Sequence, residues 1–213
     1  VEQSYEEARR YFERALAGGD KQAARDLMVL KLQRGETVGS QVGDQEESAL
    51  EALQDLAGEV GEKQALILAA GIAQQRGEKL KPEHLERMKV LAKDDTDLKL
   101  VLSQVYNNGM GEHEKGSQAS YEEEVKWLTL AIEEGRTDAM RRLGLNYEQG
   151  QGVEQSYEAA NKLYLKAGEM GDATAYRFLG INYMQGQGVE QSYEEARRYF
   201  ERALAGGDKQ AAR

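Results

Sequence analysis

LGLNYEQGQGVEQSYEAA, residues 143–160, returns 36 residues later as LGINYMQGQGVEQSYEEA, residues 179–196. The same landmarks recur more weakly upstream, with about five extra residues around 113–117; they are Leu102, Tyr106, Gly109, Gly111, Tyr121, Trp127, Ala131 and Gly135. A fixed period of this length is typical of arrays in which each unit buries its apolar face on its neighbours. The sequence therefore predicts a stack of similar units.

Each unit predicts two helices. Ala139, Leu143 and Tyr147 are four residues apart and form one apolar stripe on a first helix. In the second helix, large rings alternate with alanines between residues 157 and 167. A glycine inside the first helix, Gly144 with its repeat Gly180, lowers helix propensity and predicts the close approach of a neighbouring backbone.

Glycine and serine mark the helix boundaries. The Gly-Gln-Gly triplets at 150–152 and 186–188 predict a left-handed residue that ends the first helix. A serine then predicts the N-cap of the second helix, at Ser120, Ser156 and Ser192. Glu123 and Glu195 complete the capping box in two of these three cases.

The period predicts one repeat domain over residues 1–213. Its units are a partial unit at 1–20, helix pairs at 21–62, 63–96, 97–137, 138–172 and 173–207, and the start of a further unit at 208–213. The stretch 21–96 departs most from the pattern, but it still predicts helices, and Pro82 suits the first turn of one of them. The glycine-rich loop 35–43 is predicted to connect two helices, with a domain boundary as the alternative.

The pattern L-G-x-x-Y-x-x-G-x-G-V-x-x-S-Y-x-x-A resembles the Sel-one-like repeat (SLR) family, a relative of the tetratricopeptide repeat. The resemblance is close over 138–208 and 1–20, moderate over 97–137 and weak over 21–96. It implies an all-α, right-handed α/α superhelical solenoid of antiparallel helix pairs, whose concave surface holds partner proteins together. It implies no catalytic residues. The disulfide that some members carry in each repeat is excluded here, because the chain has no cysteine.

Composition excludes several classes of partner. A net charge of −10 opposes nucleic-acid binding, which depends on clustered Lys and Arg. The longest mainly apolar run, Leu66–Ala73, is much shorter than the roughly 20 residues that cross a bilayer. The absence of cysteine excludes thiolate metal sites but leaves the cellular compartment open.

Residues that often carry chemistry have structural interpretations here. His84 and His113 lie far apart without an H-E-x-x-H motif, and both are predicted to be exposed. The acidic run 94–97 is predicted to cap a helix rather than to bind calcium. Trp127 is predicted to pack rather than to stack on a ligand, and the EEEVK run at 122–126 to form a solvated face. We expect no enzyme activity and no cofactor.

The first helices are expected to line the groove of the solenoid. A rotation of about 100° per residue places nine residues beside the packing stripe. They are Val101, Val105, Asn108, Arg142, Asn146, Gln149, Phe178, Asn182 and Gln185. This mixture of polar and apolar side chains suits an extended peptide or a partner helix. For each member, an ordinary contact between neighbouring units is the alternative.

Residues 1–25 are identical to residues 189–213. The chain is expected to present an unfinished unit at each end, which favours end-to-end stacking into a ring or an open filament. Design for assembly, a longer array with a period of 188 residues, and recent duplication are three explanations that stay open. A homo-oligomer is therefore the alternative to a protein or peptide partner.

Overall fold

The computed structural model describes residues 77–212, together with scattered residues between positions 7 and 14 and between positions 63 and 74. The chain divides into two compact units, Val1–Arg76 and Gly77–Arg213. In the first, the described residues are helical, and Leu66, Ala69 and Ala73 are buried, as expected for one face of a buried helix. The predictions for residues 21–62, with the loop 35–43, lie outside the described residues. The single domain over 1–213 stays a prediction.

Between residues 77 and 212 the fold is helical. Seven α-helices follow one another: α1 (Pro82–Leu91), α2 (Thr96–Asn107), α3 (Gln118–Glu133), α4 (Thr137–Gln149), α5 (Tyr157–Glu169), α6 (Ala173–Gln185) and α7 (Tyr193–Ala205). A short 3-10 helix, Lys209–Ala212, follows α7. No strand occurs in this part of the chain, and the prediction of an all-α fold is confirmed.

Six of these helices form three successive pairs. We name them unit A (α2 and α3, residues 96–136), unit B (α4 and α5, residues 137–172) and unit C (α6 and α7, residues 173–208). The two helices of each unit pack on each other, and between units α3 packs on α4 and α5 on α6. The main contacts of a unit are therefore with itself and with its neighbours in sequence, as in a solenoid.

Within a unit, a glycine of the first helix faces a ring of the second. A Cβ atom added to Gly144 would lie 2.4 Å from the ring of Tyr164, and one added to Gly180 would lie 2.8 Å from the ring of Phe200. Tyr164 is fully buried. The prediction that another backbone approaches these glycines is wrong in the main, because the nearest group is a ring of the same unit.

The ends of α4 and α6 and the starts of α5 and α7 follow the predicted signals. The hydroxyls of Ser156 and Ser192 accept hydrogen bonds from the backbone N–H three residues ahead, at 3.1 and 3.2 Å. Gly150 and Gly186 follow α4 and α6 with φ angles of 67° and 71°, in the left-handed region that glycine adopts without strain. Pro82 begins α1, also as predicted.

Helix α3 begins one turn earlier than the repeat predicts. Ser117 caps it, and its hydroxyl accepts a hydrogen bond from the backbone N–H of Ser120 at 3.2 Å. The prediction that Ser120 is the N-cap is therefore wrong. Its buried hydroxyl instead donates to the carbonyl of Tyr106 at 2.5 Å, which ties α3 to the end of α2.

The second glycine of each loop sets how closely two units approach. A Cβ atom on Gly152 would lie 2.4 Å from the carbonyl oxygen of Tyr121, and one on Gly188 would lie 2.5 Å from the backbone of Tyr157. Each loop therefore rests on the first turn of the second helix in the preceding unit. Only glycine fits this contact, because backbone atoms cannot move aside as a flexible side chain can.

Candidate protein-interaction face

The nine residues predicted to line a partner-binding face lie at different depths on α2, α4 and α6 or at the ends of these helices. Gln149 and Gln185 are exposed; Val101, Asn108, Arg142 and Phe178 are partly buried; Val105, Asn146 and Asn182 are buried. The three buried residues occupy the same position in their units. This middle row is therefore turned into the stack, while the other six residues remain accessible.

One member of the middle row, Asn182, makes hydrogen bonds between units. In unit C, the Asn182 Nδ2 donates to the Asn161 Oδ1 at 2.8 Å and to the Glu148 Oε1 at 2.7 Å, which joins unit C to unit B. In unit B, the buried Nδ2 of Asn146 has no hydrogen-bond partner in the part of the chain that the structure describes. Unit A explains this difference. At the position equivalent to Asn161 it has Val125, whose side chain cannot accept a hydrogen bond from Asn146.

Arg142 is held by a buried carboxylate. Its Nη2 lies 3.0 Å from the Oε1 of Glu124, whose side chain is only 1% exposed, and the Asn107 Nδ2 donates to the other carboxylate oxygen at 2.8 Å. The prediction that the run 122–126 is a solvated face is therefore wrong for Glu124. The sequence held a signal, because Glu124 stands where unit B has Ala160, a buried position.

Phe178 takes the place of Arg142 in unit C and forms a different contact. Its ring stacks on Tyr164 with the centroids 5.3 Å apart, and the Arg177 guanidinium lies 4.6 Å from the Phe178 centroid. The phenyl ring is only partly buried, so it offers an apolar surface where unit B offers a paired cation.

Three further side chains of the first helices are exposed and were not predicted to line the face: Asp97, Gln104 and Met184. Met184 occupies the position equivalent to Glu148, which is only partly exposed. The repeat pattern therefore does not predict how exposed this position is in each unit. Burial raises the pKa of Glu148, although the hydrogen bond from Asn182 opposes this shift. Burial also raises the pKa of Tyr164, and the nearby Glu148 carboxylate adds to the rise.

The two histidines lie in different surroundings. His84 is 9% exposed on the buried face of α1 with Leu85 and Met88, and burial lowers its pKa. The prediction that it is exposed is wrong, because closeness to a helix start does not decide which face a residue occupies. His113 is partly exposed, 6.5 Å from the ring of Tyr106. Within the described residues, no three His, Asp or Glu side chains are grouped to hold a metal ion.

Two other structural interpretations are confirmed. Asp95 caps α2, accepting a hydrogen bond from the backbone N–H of Leu98 at 3.0 Å. Trp127 is 6% exposed and packs in the interior of the stack, with the Lys126 Nζ 5.8 Å from its ring centroid. None of the helices described here has the length and hydropathy needed to cross a bilayer.

The loop after α2 is attached to α1 by a polar cluster that was not predicted. The Glu112 carboxylate accepts hydrogen bonds from the Lys89 Nζ at 2.5 Å and from the Tyr106 hydroxyl at 2.7 Å. Partial burial would raise the pKa of Glu112, but the two hydrogen bonds outweigh it and hold the pKa at about 2. The carboxylate is therefore ionised throughout the neutral range.

Known proteins share this architecture. The Sel1 repeat family model matches residues 1–20, 137–172 and 173–208. A Sel1 repeat protein from Oxalobacter formigenes is 31% identical, over 58% of this chain and 91% of that one, with a TM-score of 0.50. A protective antigen present in uropathogenic Escherichia coli strains, which displays an SLR fold, is 22% identical over 95% of this chain and 42% of that one, with a TM-score of 0.56. No curated protein matches the chain. The predicted solenoid of helix pairs is confirmed.

Proposed function

Because the chain belongs to the Sel1 repeat family, whose members are generally protein-interaction scaffolds, we propose that it binds a protein or peptide and catalyses no reaction. The proposed binding face consists of the accessible members of the predicted set, Val101, Asn108, Arg142, Gln149, Phe178 and Gln185. Val105, Asn146 and Asn182 lie in the interior beside it.

The observation that carries this proposal is an amide side chain at the end of each first helix, once per unit. Asn108, Gln149 and Gln185 occupy equivalent positions in units A, B and C, and each is exposed or partly exposed. An amide group both donates and accepts hydrogen bonds, so a row of them can pair with the backbone of an extended peptide whatever its sequence. Phe178 and Met184 supply apolar contacts in unit C.

Unused hydrogen-bonding capacity also supports a polar ligand. The Asn108 Nδ2 is buried and has no partner among the described residues. A buried donor without a partner costs about 1–3 kcal/mol. If the Asn108 side chain turns towards solvent, a carbonyl of a bound peptide can accept a hydrogen bond from this donor and recover part of that free energy.

A displayed library of random linear peptides supplies the probe for this face. Titration calorimetry compares the binding of a selected peptide to the parent, to Phe178→Ala with Gln185→Ala, and to a control, Glu158→Ala with Lys162→Ala, which removes exposed side chains from α5. We expect the face variant to bind about tenfold more weakly, a loss of about 1.4 kcal/mol, and the control to bind as the parent does. Selected peptides that bind both variants equally would place the binding site elsewhere.

A second candidate function is self-assembly through the duplicated segment 189–213. The observation that favours it is the identity of residues 1–25 with residues 189–213, which places the same second-helix sequence at two points of the chain. Sedimentation over a concentration series tests it. A protein that stays monomeric at the highest concentration does not self-assemble, and this result would reject the candidate.

A further inference from the structure

Glu148 lies where units B and C meet. Its Oε1 accepts a hydrogen bond from the Asn182 Nδ2 at 2.7 Å, and the Tyr164 hydroxyl lies close to the same carboxylate. That hydroxyl is buried and has no hydrogen-bond partner among the described residues. Glu148 itself is partly exposed although units A and C flank unit B. A ligand can therefore reach its carboxylate while both neighbouring units are in place.

Within the described residues, no cation neutralises the charge of Glu148, because no Lys or Arg lies within ion-pair distance of its carboxylate. The arginines of α4 and α6 are paired with other carboxylates at 2.9–3.0 Å: Arg141 with Asp172, Arg142 with Glu124, and Arg177 with Asp208. Burial raises the pKa of Glu148, as expected for a carboxylate that has lost water without gaining a cation. Its negative charge is therefore available to a ligand.

The A–B interface shows which group the B–C interface lacks. At the A–B interface, Arg142 of unit B binds the carboxylate of Glu124 in unit A, so the chain supplies both charges. In unit C, Phe178 stands at the position of Arg142 and brings no charge. The B–C interface therefore has an accessible carboxylate, Glu148, without the cation that stands at the equivalent position one unit earlier.

Phe178 and Glu148 share a neighbour, Tyr164. The ring centroids of Phe178 and Tyr164 are 5.3 Å apart, and the hydroxyl of Tyr164 is close to the carboxylate. The partial exposure of Phe178 is typical of its position, because the side chain of Arg142 is also 27% exposed with unit C in place. The Arg177 guanidinium lies 4.6 Å from the Phe178 centroid, but its charge is already balanced by a carboxylate. The stem of a Lys or Arg side chain can therefore pack on the phenyl ring while its charged end reaches Glu148.

We propose that Glu148 binds an arginine or lysine side chain of the bound peptide, and that Phe178 contacts the aliphatic part of that side chain. This inference deepens the proposed peptide-binding function and rests on it. The row of amides can bind a peptide backbone whatever its sequence, whereas Glu148 adds a preference for a basic residue at one position. The net charge of −10 also favours the approach of a basic peptide, because long-range attraction raises the association rate.

Peptides selected on the parent from a displayed random library are the probes, and those that lose affinity for Phe178→Ala with Gln185→Ala are kept. Each Arg or Lys of such a peptide is replaced in turn by citrulline or norleucine, which are neutral side chains of similar length. Titration calorimetry then compares the parent with Glu148→Gln and with a matched control, Glu158→Gln, which removes the same charge from an exposed position on α5. Glutamine keeps a side-chain oxygen that can accept the hydrogen bond from Asn182, so Glu148→Gln should unfold thermally as the parent does.

We expect Glu148→Gln to bind these peptides about tenfold more weakly than the parent, and the control to bind them as the parent does. Replacing one basic residue of the peptide should weaken binding to the parent by a similar factor but leave binding to Glu148→Gln unchanged, because both changes remove the same contact. Equal affinity for the parent and Glu148→Gln would overturn the inference, as would a basic residue that matters equally to both, and the proposed peptide-binding function would remain. If no selected peptide depends on Phe178 and Gln185, the proposed function itself fails, and the inference fails with it.

Discussion

The interface between units A and B and the interface between units B and C have the same backbone arrangement but different interiors. At one equivalent contact, the A–B interface contains the Glu124–Arg142 ion pair and the B–C interface contains the Tyr164–Phe178 ring stack. The equivalent pairs, with the A–B residue first, are Ser103 and Gly144, Glu124 and Ala160, Val125 and Asn161, Leu128 and Tyr164, and Arg142 and Phe178. Units in this solenoid can therefore exchange a buried ion pair for a ring stack without a change in helix order.

The exchange works because the residues change together. Glu124 is buried only with Arg142 and Asn107 bonded to it. Tyr164 is buried only because Gly144 leaves space for its ring. The loop glycines and the serine caps, which are the same in units B and C, hold the spacing, and the interior can vary as long as each set stays complementary.

Arg142→Met should have the largest effect, because it leaves the carboxylate of Glu124 buried with only an amide beside it. Loss of one partner from a buried ion pair costs about 3–5 kcal/mol, and we expect about 3 because Arg142 is itself partly exposed. At the equivalent position, Phe178→Met keeps an apolar side chain of similar volume and should cost less than about 1.5 kcal/mol. Native-state hydrogen exchange of α4 and α6 measures both. Equal losses would mean that the A–B interface is no more sensitive than the B–C interface to a substitution at this position.

The two equivalent asparagines provide the next test. Asn182→Ala removes hydrogen bonds to Asn161 and to the Glu148 carboxylate, and a bond to a charged group contributes about 1.5–3 kcal/mol. Asn146→Ala removes a donor that has no partner among the described residues, so its cost should stay below about 1 kcal/mol. Urea denaturation compares the two variants. A larger loss for Asn146→Ala would contradict the difference between the interfaces.

Gly144→Ala should destabilise unit B by about 1–3 kcal/mol, because the new methyl group overlaps the buried ring of Tyr164. Unit A suggests the rescue, since it combines a larger residue, Ser103, with a smaller one, Leu128. Gly144→Ala with Tyr164→Leu should therefore cost less than the sum of the single variants by at least about 1 kcal/mol. Strictly additive losses in thermal or urea unfolding would show that ring and glycine are not coupled.

The sequence predicted those parts of the fold that depend on local backbone chemistry. Ser156 and Ser192 were identified as caps and Gly150 as a helix end, because each satisfies hydrogen bonds or a backbone conformation within a few residues. The period of the repeat then gave the pairing of helices. The binding face stays a prediction. The residues that form it fold without a partner, so their positions in the fold do not show whether they bind one.

The errors concern residues whose environment depends on a neighbouring element. Glu124 was assigned to solvent from its charged neighbours, but burial follows from Arg142, which lies in the next unit. Ser120 has the right spacing for a cap, yet the inserted loop lets α3 begin earlier, at Ser117. His84 is buried on the side of α1 that also holds Met88. None of these outcomes can be derived from a window of a few residues.

The loops of units A and B are held in place by different contacts, and we expect a change of pH to affect only the loop of unit A. Gly152 rests directly on the backbone of Tyr121, whereas the loop after α2 is held by the ionised Glu112 against Lys89 and Tyr106. Because the pKa of Glu112 is about 2, below the ordinary 4.5, its ionised form stabilises the fold. This contribution is complete above about pH 4.5 and is lost as the pH falls towards about 2.

Glu112→Gln should therefore lower the local stability of the loop near pH 6 and have little effect near pH 2. The side chain of Glu112 is 46% exposed, so solvent screening limits the loss to about 1 kcal/mol or less. The amide of Leu80, which donates to the Met110 carbonyl at 2.8 Å, reports this change by hydrogen exchange, and the Gln151 amide in unit B is the matched control. A parent–variant difference that stays undiminished at pH 2 would mean that Glu112 acts through its shape, because the carboxylate is then about half protonated and most of its pH-dependent contribution is lost. A parallel change at Gln151 would mean that the two loops are not held independently.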